Sequence, residues 1–177
     1  LLRAVGYTVG TEFYVNDAGN QAEIFARSLE ARYQQLTDPD YPFPEDGYPA
    51  SYVADLAQKL KEERPDLLEM PREERLAYLK RWGTDQMVEM QKADLRAYGV
   101  EFDLWFRERD LHEQGALEAV IAYLKERGFL FEAEDALWFR STEFGDDKDR
   151  VIIKSDGSYT YVTADIAYHH DKLKRGY

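Results

Sequence analysis

Cysteine is missing from this 177-residue chain, which excludes disulfides and thiolate-ligated metal sites. Positive charge is scarce as well: 23 Lys and Arg stand against 35 Asp and Glu, for a formal net charge of −12. A surface that grips a nucleic-acid backbone carries the opposite balance. The chain as a whole therefore repels phosphate, and any RNA contact has to come from local basic patches or from other parts of a longer protein. No apolar run is long enough to span a bilayer, and no basic segment followed by a hydrophobic one stands at the N-terminus. A cytoplasmic setting without a membrane partner is the expectation. Histidine is equally sparse. His112-Glu113 and His169-His170 do not reach the HExxH pattern of a zinc site, so no metal site is expected. Internal repeats and low-complexity tracts are absent too.

What is present suffices for a folded core: 44% of residues are hydrophobic and 14% aromatic, enough for one domain or a small core with a second lobe. Leu1 to Gly6 reads as the end of a helix closed by a glycine, an unusual way for a natural protein to begin, and so suggests an excised piece. Tyr7 to Val15, rich in β-branched and aromatic residues, predicts a strand. A polar turn then leads into a helix to about Leu36, with Phe25, Leu29, Tyr33 and Leu36 on one face. The Pro-, Asp- and Tyr-dense stretch from Thr37 to Pro49 cannot continue that helix.

Ser51 is expected to cap a helix striped by Val53, Leu56, Ala57 and Leu60. A long helix is expected over 72–98, with Leu76, Leu79, Met87, Met90 and Ala97 inward, and a shorter one from Leu111 to Arg127. The last third offers short strands at Phe129–Phe131, Leu137–Phe139 and Val151–Ile153. Asp156-Gly157 signals a tight hairpin with Tyr159–Val162 returning, and Thr163 is expected to cap a final helix. This order predicts an α/β core interrupted by an α-rich insertion, with the strands ending at Val15 and Val162 as parallel neighbours.

Three segments hold candidate chemistry. Asn16-Asp17-Ala18-Gly19-Asn20-Gln21 follows a strand and opens a helix, where open α/β sheets bind ligands; the same residues could instead only cap the helix. Tyr161 and Asp165 straddle a strand-to-helix junction, so a phenol and a carboxylate could meet one ligand. A carboxylate pairs bidentately with a guanidinium, although an Asp at the second helical position could equally answer the helix dipole. Gly145-Asp146-Asp147-Lys148-Asp149-Arg150 faintly suggests a calcium loop, but the alternation and the distant Glu are missing, and a solvated hairpin approach is the expectation.

Four blocks in order resemble the class I arginyl-tRNA synthetases: Phe13 to Gln21, Leu137 to Val151, Lys154-Ser155-Asp156-Gly157, and Tyr159 to His169. The region from Tyr41 to Gly128 fits that family's variable insertion. The resemblance implies a partial Rossmann-like nucleotide-binding core, residues 1–40 and 150–177, around a mainly α-helical insertion, residues 41–149. It also implies that Tyr161 and Asp165 face the arginine side chain, and that Asn16, Asp17 and Gln21 lie near the active-site floor. The implied partners are L-arginine, ATP with Mg2+ and tRNA(Arg), for a ligase that forms arginyl-adenylate and then esterifies the tRNA. Neither the HIGH-type nor the KMSK-type motif occurs among these residues. Both are expected in flanking parts of the parent, so no catalytic residue is assigned here. The piece alone is expected to be inactive, to hold no cofactor tightly and to bind RNA weakly. A non-catalytic RNA- or protein-binding module derived from the insertion is the alternative.

Overall fold

The computed structural model describes residues 1–177, and the chain divides into two compact units, Leu1–Phe106 and Arg107–Tyr177. The first opens with a 3-10 turn, Leu2–Val5, closed by Gly6 in the left-handed region. Strand β1 (Glu12–Val15) then runs into helix α1 (Asn20–Gln35). α1 is flanked by α2 (Ser51–Glu63) and α3 (Arg72–Ala97). The apolar face of α1 supplies Phe25, Leu29 and Tyr33 to one core with Val53, Leu56, Ala57 and Leu60 of α2 and Leu79 of α3. Each such side chain contributes roughly 1.5–3 kcal/mol on burial. Tyr33 is fully buried, yet its hydroxyl donates to the Arg64 carbonyl at 2.7 Å, so no polar atom is stranded.

The α1–α3 approach is close. A Cβ on Gly83 would lie 2.8 Å from Cε1 of Phe25, so only glycine fits between the two helices. The same interface buries Glu30, 3% exposed, whose carboxylate accepts from Arg75 Nε at 2.8 Å and Arg72 Nη2 at 3.3 Å. Arg75 also donates to the carbonyls of Leu68 and Met70. Strand β2 (Leu104–Arg107) pairs with β1 in a two-stranded sheet. Phe13 stacks on Trp105 with ring centroids 4.5 Å apart, and Tyr14 stacks on Phe106. Asp103 accepts from the amide and hydroxyl of Thr11 at 2.7 and 2.8 Å, which holds its carboxyl below the usual carboxylate range.

In the second unit, α4 (Glu108–Glu113) and α5 (Ala116–Glu126) are separated by Gly115 at φ 68°. Strands β3 (Leu130–Ala133), β4 (Ala136–Phe139) and β5 (Arg150–Ile153) form an antiparallel sheet in the order β3-β4-β5. Helix α6 (Tyr161–Lys174) packs on β5 and α5 through Ala164, Ala167 and Tyr168.

The mixed α/β class and most helix extents agree with the sequence reading, and several details do not. Residues 159–162 form no strand: one antiparallel bridge, Ile153 to Tyr159, precedes the helix at Tyr161. The expected parallel pairing of strands ending at Val15 and Val162 is therefore not found, and β1 pairs with β2 instead. The helix expected from Leu111 to Arg127 is two helices, because Gly115 turns left-handed. Ser51 lies inside α2, with Ala50 at the cap position and no side-chain capping bond. In α3 the fully inward residues are Arg75, Leu79, Gly83 and Val88, and Leu76 and Met87 pack against the core as expected, whereas Met90 is 42% exposed and Ala97 is also exposed.

Candidate functional site

The polar turn after β1 is shaped by its backbone. The Asp17 amide donates to the Val15 carbonyl at 3.1 Å, and Gly19 takes the cap position of α1 with no side-chain capping bond. The cap position itself thus falls to a residue without a side chain. Lys80 of α3 donates to the Ala18 carbonyl at 3.1 Å and pairs with Glu23 at 3.2 Å, pinning the turn to α3. Asp17 is 2% exposed, while Asn16 and Gln21 face solvent.

These three residues share a cleft of about 420 Å³ within the first unit. Phe13 and Tyr14 of β1 line it on one side, and Thr84, Met87, Val88 and Gln91 of α3 on another. Tyr48 and Tyr52 complete the wall. The Tyr48 hydroxyl donates to Gln21 Oε1, which orients the amide at the mouth. The Tyr48 amide is in turn held by the Ser28 hydroxyl at 2.9 Å, and Gly47 passes so close to Ser28 and Phe43 that a side chain there would collide. Burial, and then the neighbouring Tyr48, pushes the Tyr52 hydroxyl above its ordinary pKa.

In the second unit the hairpin after β5 turns at Gly157, φ 81°, and two threonines fix the start of α6. Thr160 Oγ1 donates to Val151 O at 2.7 Å, and Thr163 Oγ1 to Ile152 O at 2.5 Å. Thr163 is hence a buried strand-to-helix tie and not the expected cap; Thr160 holds the cap position. Tyr161, 74% exposed, and the exposed Asp165 lie four residues apart on one helix face. Asp165 is the fifth residue of α6, not the second. Helix-dipole stabilisation fades beyond the first turn, so the structural role open to it from sequence is weakened.

The acidic stretch Gly145 to Arg150 is a closed ion-pair loop. Asp146 takes Arg150 at 2.7 Å through Nε and 2.6 Å through Nη2, and Asp147 adds a contact at 2.8 Å. Asp149 accepts from the Thr142 amide and hydroxyl at 3.0 and 2.8 Å. Arg150 holds the Asp146 carboxyl well below the carboxylate range. The carboxylates are spent on the loop itself, and no group of three His, Asp or Glu converges in a geometry that would hold a metal ion.

The structure thus brings together Asn16, Asp17 and Gln21 on the first unit, and Tyr161 with Asp165 on the second. Sequence reasoning missed the cleft's other walls. Thr84, Val88 and Gln91 recur at helical spacing, a signal that was there to be found. Tyr48 and Tyr52 lie beyond a proline-rich loop whose path no local pattern fixes.

An α/β chain whose polar strand-to-helix turn opens on an aromatic cleft has the general form of a ligand-binding enzyme domain. The family profile for class I (R) tRNA synthetases, catalytic domain, matches residues 1–176. An arginine–tRNA ligase of Symbiobacterium thermophilum is 52% identical over 177 residues, all of this chain and 32% of that protein. One of Geobacillus kaustophilus is 48% identical over 178 aligned positions, again 32% of its length. Among solved structures, an arginyl-tRNA synthetase of Thermus thermophilus superposes with a TM-score of 0.62 at 25% identity, over 95% of this chain and 30% of that one. A Campylobacter jejuni protein provisionally named an arginyl-tRNA synthetase gives a TM-score of 0.84 at 38% identity, over 99% and 38%. The chain belongs to the arginyl (R) family of class I tRNA synthetase catalytic domains. It spans about a third of the length of the curated relatives it matches.

Proposed function

We propose that this chain is the part of an arginine–tRNA ligase that carries arginine recognition, within a parent enzyme that activates L-arginine with Mg2+-bound ATP and transfers it to tRNA(Arg) in the cytoplasm. Family membership over residues 1–176 supports the parent's reaction. The observation that carries the residue assignment is the shared exposed face of Tyr161 and Asp165. There a carboxylate can accept two guanidinium N–H groups while the phenol contributes a hydrogen bond and a flat apolar face. Asn16, Asp17 and Gln21 are assigned to the active-site floor of the parent on the family resemblance alone. In the parent, residues 1–40 and 150–177 belong to the catalytic core and residues 41–149 to the insertion, a division by segment that need not follow compactness. The Mg2+ belongs to the ATP substrate of the parent in this reading.

The test is Asp165→Asn in the full-length enzyme. Asparagine keeps the shape, loses the charge and turns one acceptor into a donor facing arginine's own donors. A charged hydrogen bond contributes about 1.5–3 kcal/mol, so kcat/KM for arginine should fall by roughly a hundredfold, with the melting temperature nearly unchanged. Tyr161→Phe should cost less, as it removes one neutral hydrogen bond. Normal arginine kinetics with a lowered melting temperature would return Asp165 to a structural role.

A further inference from the structure

A helix start is ordinarily fixed by its own cap, and α6 does without one. Threonine at the cap position normally accepts from an amide of the first turn; Thr160 makes no such bond. Its hydroxyl donates instead to the Val151 carbonyl of β5 at 2.7 Å. Thr163, 1% exposed, does the same with the Ile152 carbonyl at 2.5 Å. Both hydroxyls thus go to the neighbouring strand rather than to the helix. That arrangement forgoes ordinary capping and gives the helix end a fixed place. The anchor itself is well held. Ile152 is fully buried, and β5 is paired to β4 through Val151 with Trp138 and Arg150 with Phe139. Arg150 is locked in turn by Asp146 and Asp147.

What this anchor sets is a rotation as well as a distance. Successive helical residues are about 100° apart, so Thr163 points almost opposite to Tyr161 and Asp165. Thr163 is buried against β5, and Tyr161 and Asp165 are exposed. Turning α6 by one residue would swing the carboxylate about 100° out of line. Ala164 and Ala167, the next inward residues, present methyl groups that set no direction, whereas a hydrogen bond does. We propose that Thr163 is a positioning residue for arginine. Its bond to the Ile152 carbonyl sets the rotation of the first turn of α6, and with it the place of the Asp165 carboxylate and the Tyr161 phenol. The proposal rests on the reading of those two residues as arginine contacts. Two-point pairing of a carboxylate with a guanidinium is directional, so an error of rotation is felt there. ATP, which Tyr161 and Asp165 do not contact in this reading, should be indifferent to it.

The experiment is Thr163→Val in the full-length enzyme. Valine keeps the volume and removes the hydroxyl. The Ile152 carbonyl still has the Thr160 amide as donor at 3.1 Å, so no acceptor is stranded. The readout is arginine-dependent pyrophosphate exchange with tRNA(Arg) present. There kcat/KM for arginine should fall about tenfold, mostly through KM, short of the roughly hundredfold that a misplacement of about 1 Å can cost. KM for ATP should stay where it is. Thr163→Ser, which keeps the hydroxyl, should restore most of the loss. With Tyr161→Phe and Asp165→Asn both present, the groups being positioned are already disabled. Thr163→Val should then change kcat/KM by no more than about twofold. A tenfold loss that persists in that background overturns the proposal. So do equal rises of KM for arginine and ATP, or a serine variant as poor as the valine one. A lowered melting temperature with normal arginine KM would leave Thr163 a structural tie alone. The two readings fail separately. Asp165→Asn without effect on arginine sinks the arginine assignment, and the positioning with it. A damaging Asp165→Asn beside a silent Thr163→Val sinks the positioning only.

Discussion

Glu30 and Arg75 meet in the α1–α3 interface at 4% and 10% side-chain exposure, with an Nε–Oε1 distance of 2.8 Å. Burying two charges is expensive, and here the expense is offset because Arg75 also donates to two backbone carbonyls and Arg72 shares the carboxylate. Removing one partner leaves the other charge buried without its counter-ion. Glu30→Ala should therefore lower stability by about 3–5 kcal/mol, read as a shift of the urea midpoint at constant slope. The pair Glu30→Leu with Arg75→Met should recover most of that loss, since apolar replacement of both members is often neutral. A single variant as stable as the parent chain would mean that Arg75 is satisfied by the carbonyls alone. Sequence periodicity hid this contact, because an arginine at an inward position of α3 looks like an interruption of the apolar stripe.

Local elements divide into those that neighbours specify and those that need the rest of the fold. The span of α3 and the Lys154–Ser158 turn follow from punctuation by Pro71, Gly99 and Asp156-Gly157, and both were legible. The end of β5 was not. Whether Tyr159–Val162 continues as a strand or enters a helix is decided by Thr160 and Thr163 bonding back to Val151 and Ile152, contacts with no sequence period. The β3–β4 turn shows a different mismatch. Glu134 and Asp135 both lie at positive φ, 55° and 56°, as in a two-residue type I′ turn. Non-glycine residues pay about 1 kcal/mol or more for that conformation. Replacing the pair with Asn-Gly should raise the melting temperature, with a gain on the order of 1 kcal/mol; no gain would mean that the two acidic side chains earn their place through the turn. The Ser141–Arg150 loop gives a pH prediction. Asp146 is depressed by Arg150, so its stabilisation is present above the unfolded carboxylate pKa of about 3.9 and is lost only as pH falls through the lower folded value. A carboxyl-detected NMR titration should show Asp146 still ionised at about pH 3, where ordinary aspartates have protonated. Arg150→Gln should bring its midpoint back toward the ordinary range.

At the scale of the whole chain, the site was readable where a ligand's chemistry is concentrated in a short run and unreadable where it is assembled from distant segments. Asn16, Asp17 and Gln21 sit within one turn and were named from their order. The cleft they share also needs Gln91, which the packing of α1 against α3 brings near, and Tyr48, which the loop before α2 folds back onto Ser28 and Phe25 of α1. The same distinction bears on activity. Forming an adenylate requires positive groups held where charge develops at the α-phosphate. The chain has a net charge of −12, neither ATP-contacting motif is present in its 177 residues, and the cleft that Asn16, Asp17 and Gln21 share has no cation in its lining. Losing a single preorganised donor costs a reaction of this kind about 10²–10³ in rate, and here several are missing together. The 177-residue chain should therefore give no arginine-dependent pyrophosphate exchange above background, with or without tRNA(Arg), even if it binds arginine at Asp165. Exchange assays on pure protein, run beside an Asp165→Asn control, decide it. Exchange that survives purification and disappears in the Asp165→Asn chain would show that these residues alone stabilise the transferring adenylyl group, which nothing in their charge distribution accounts for.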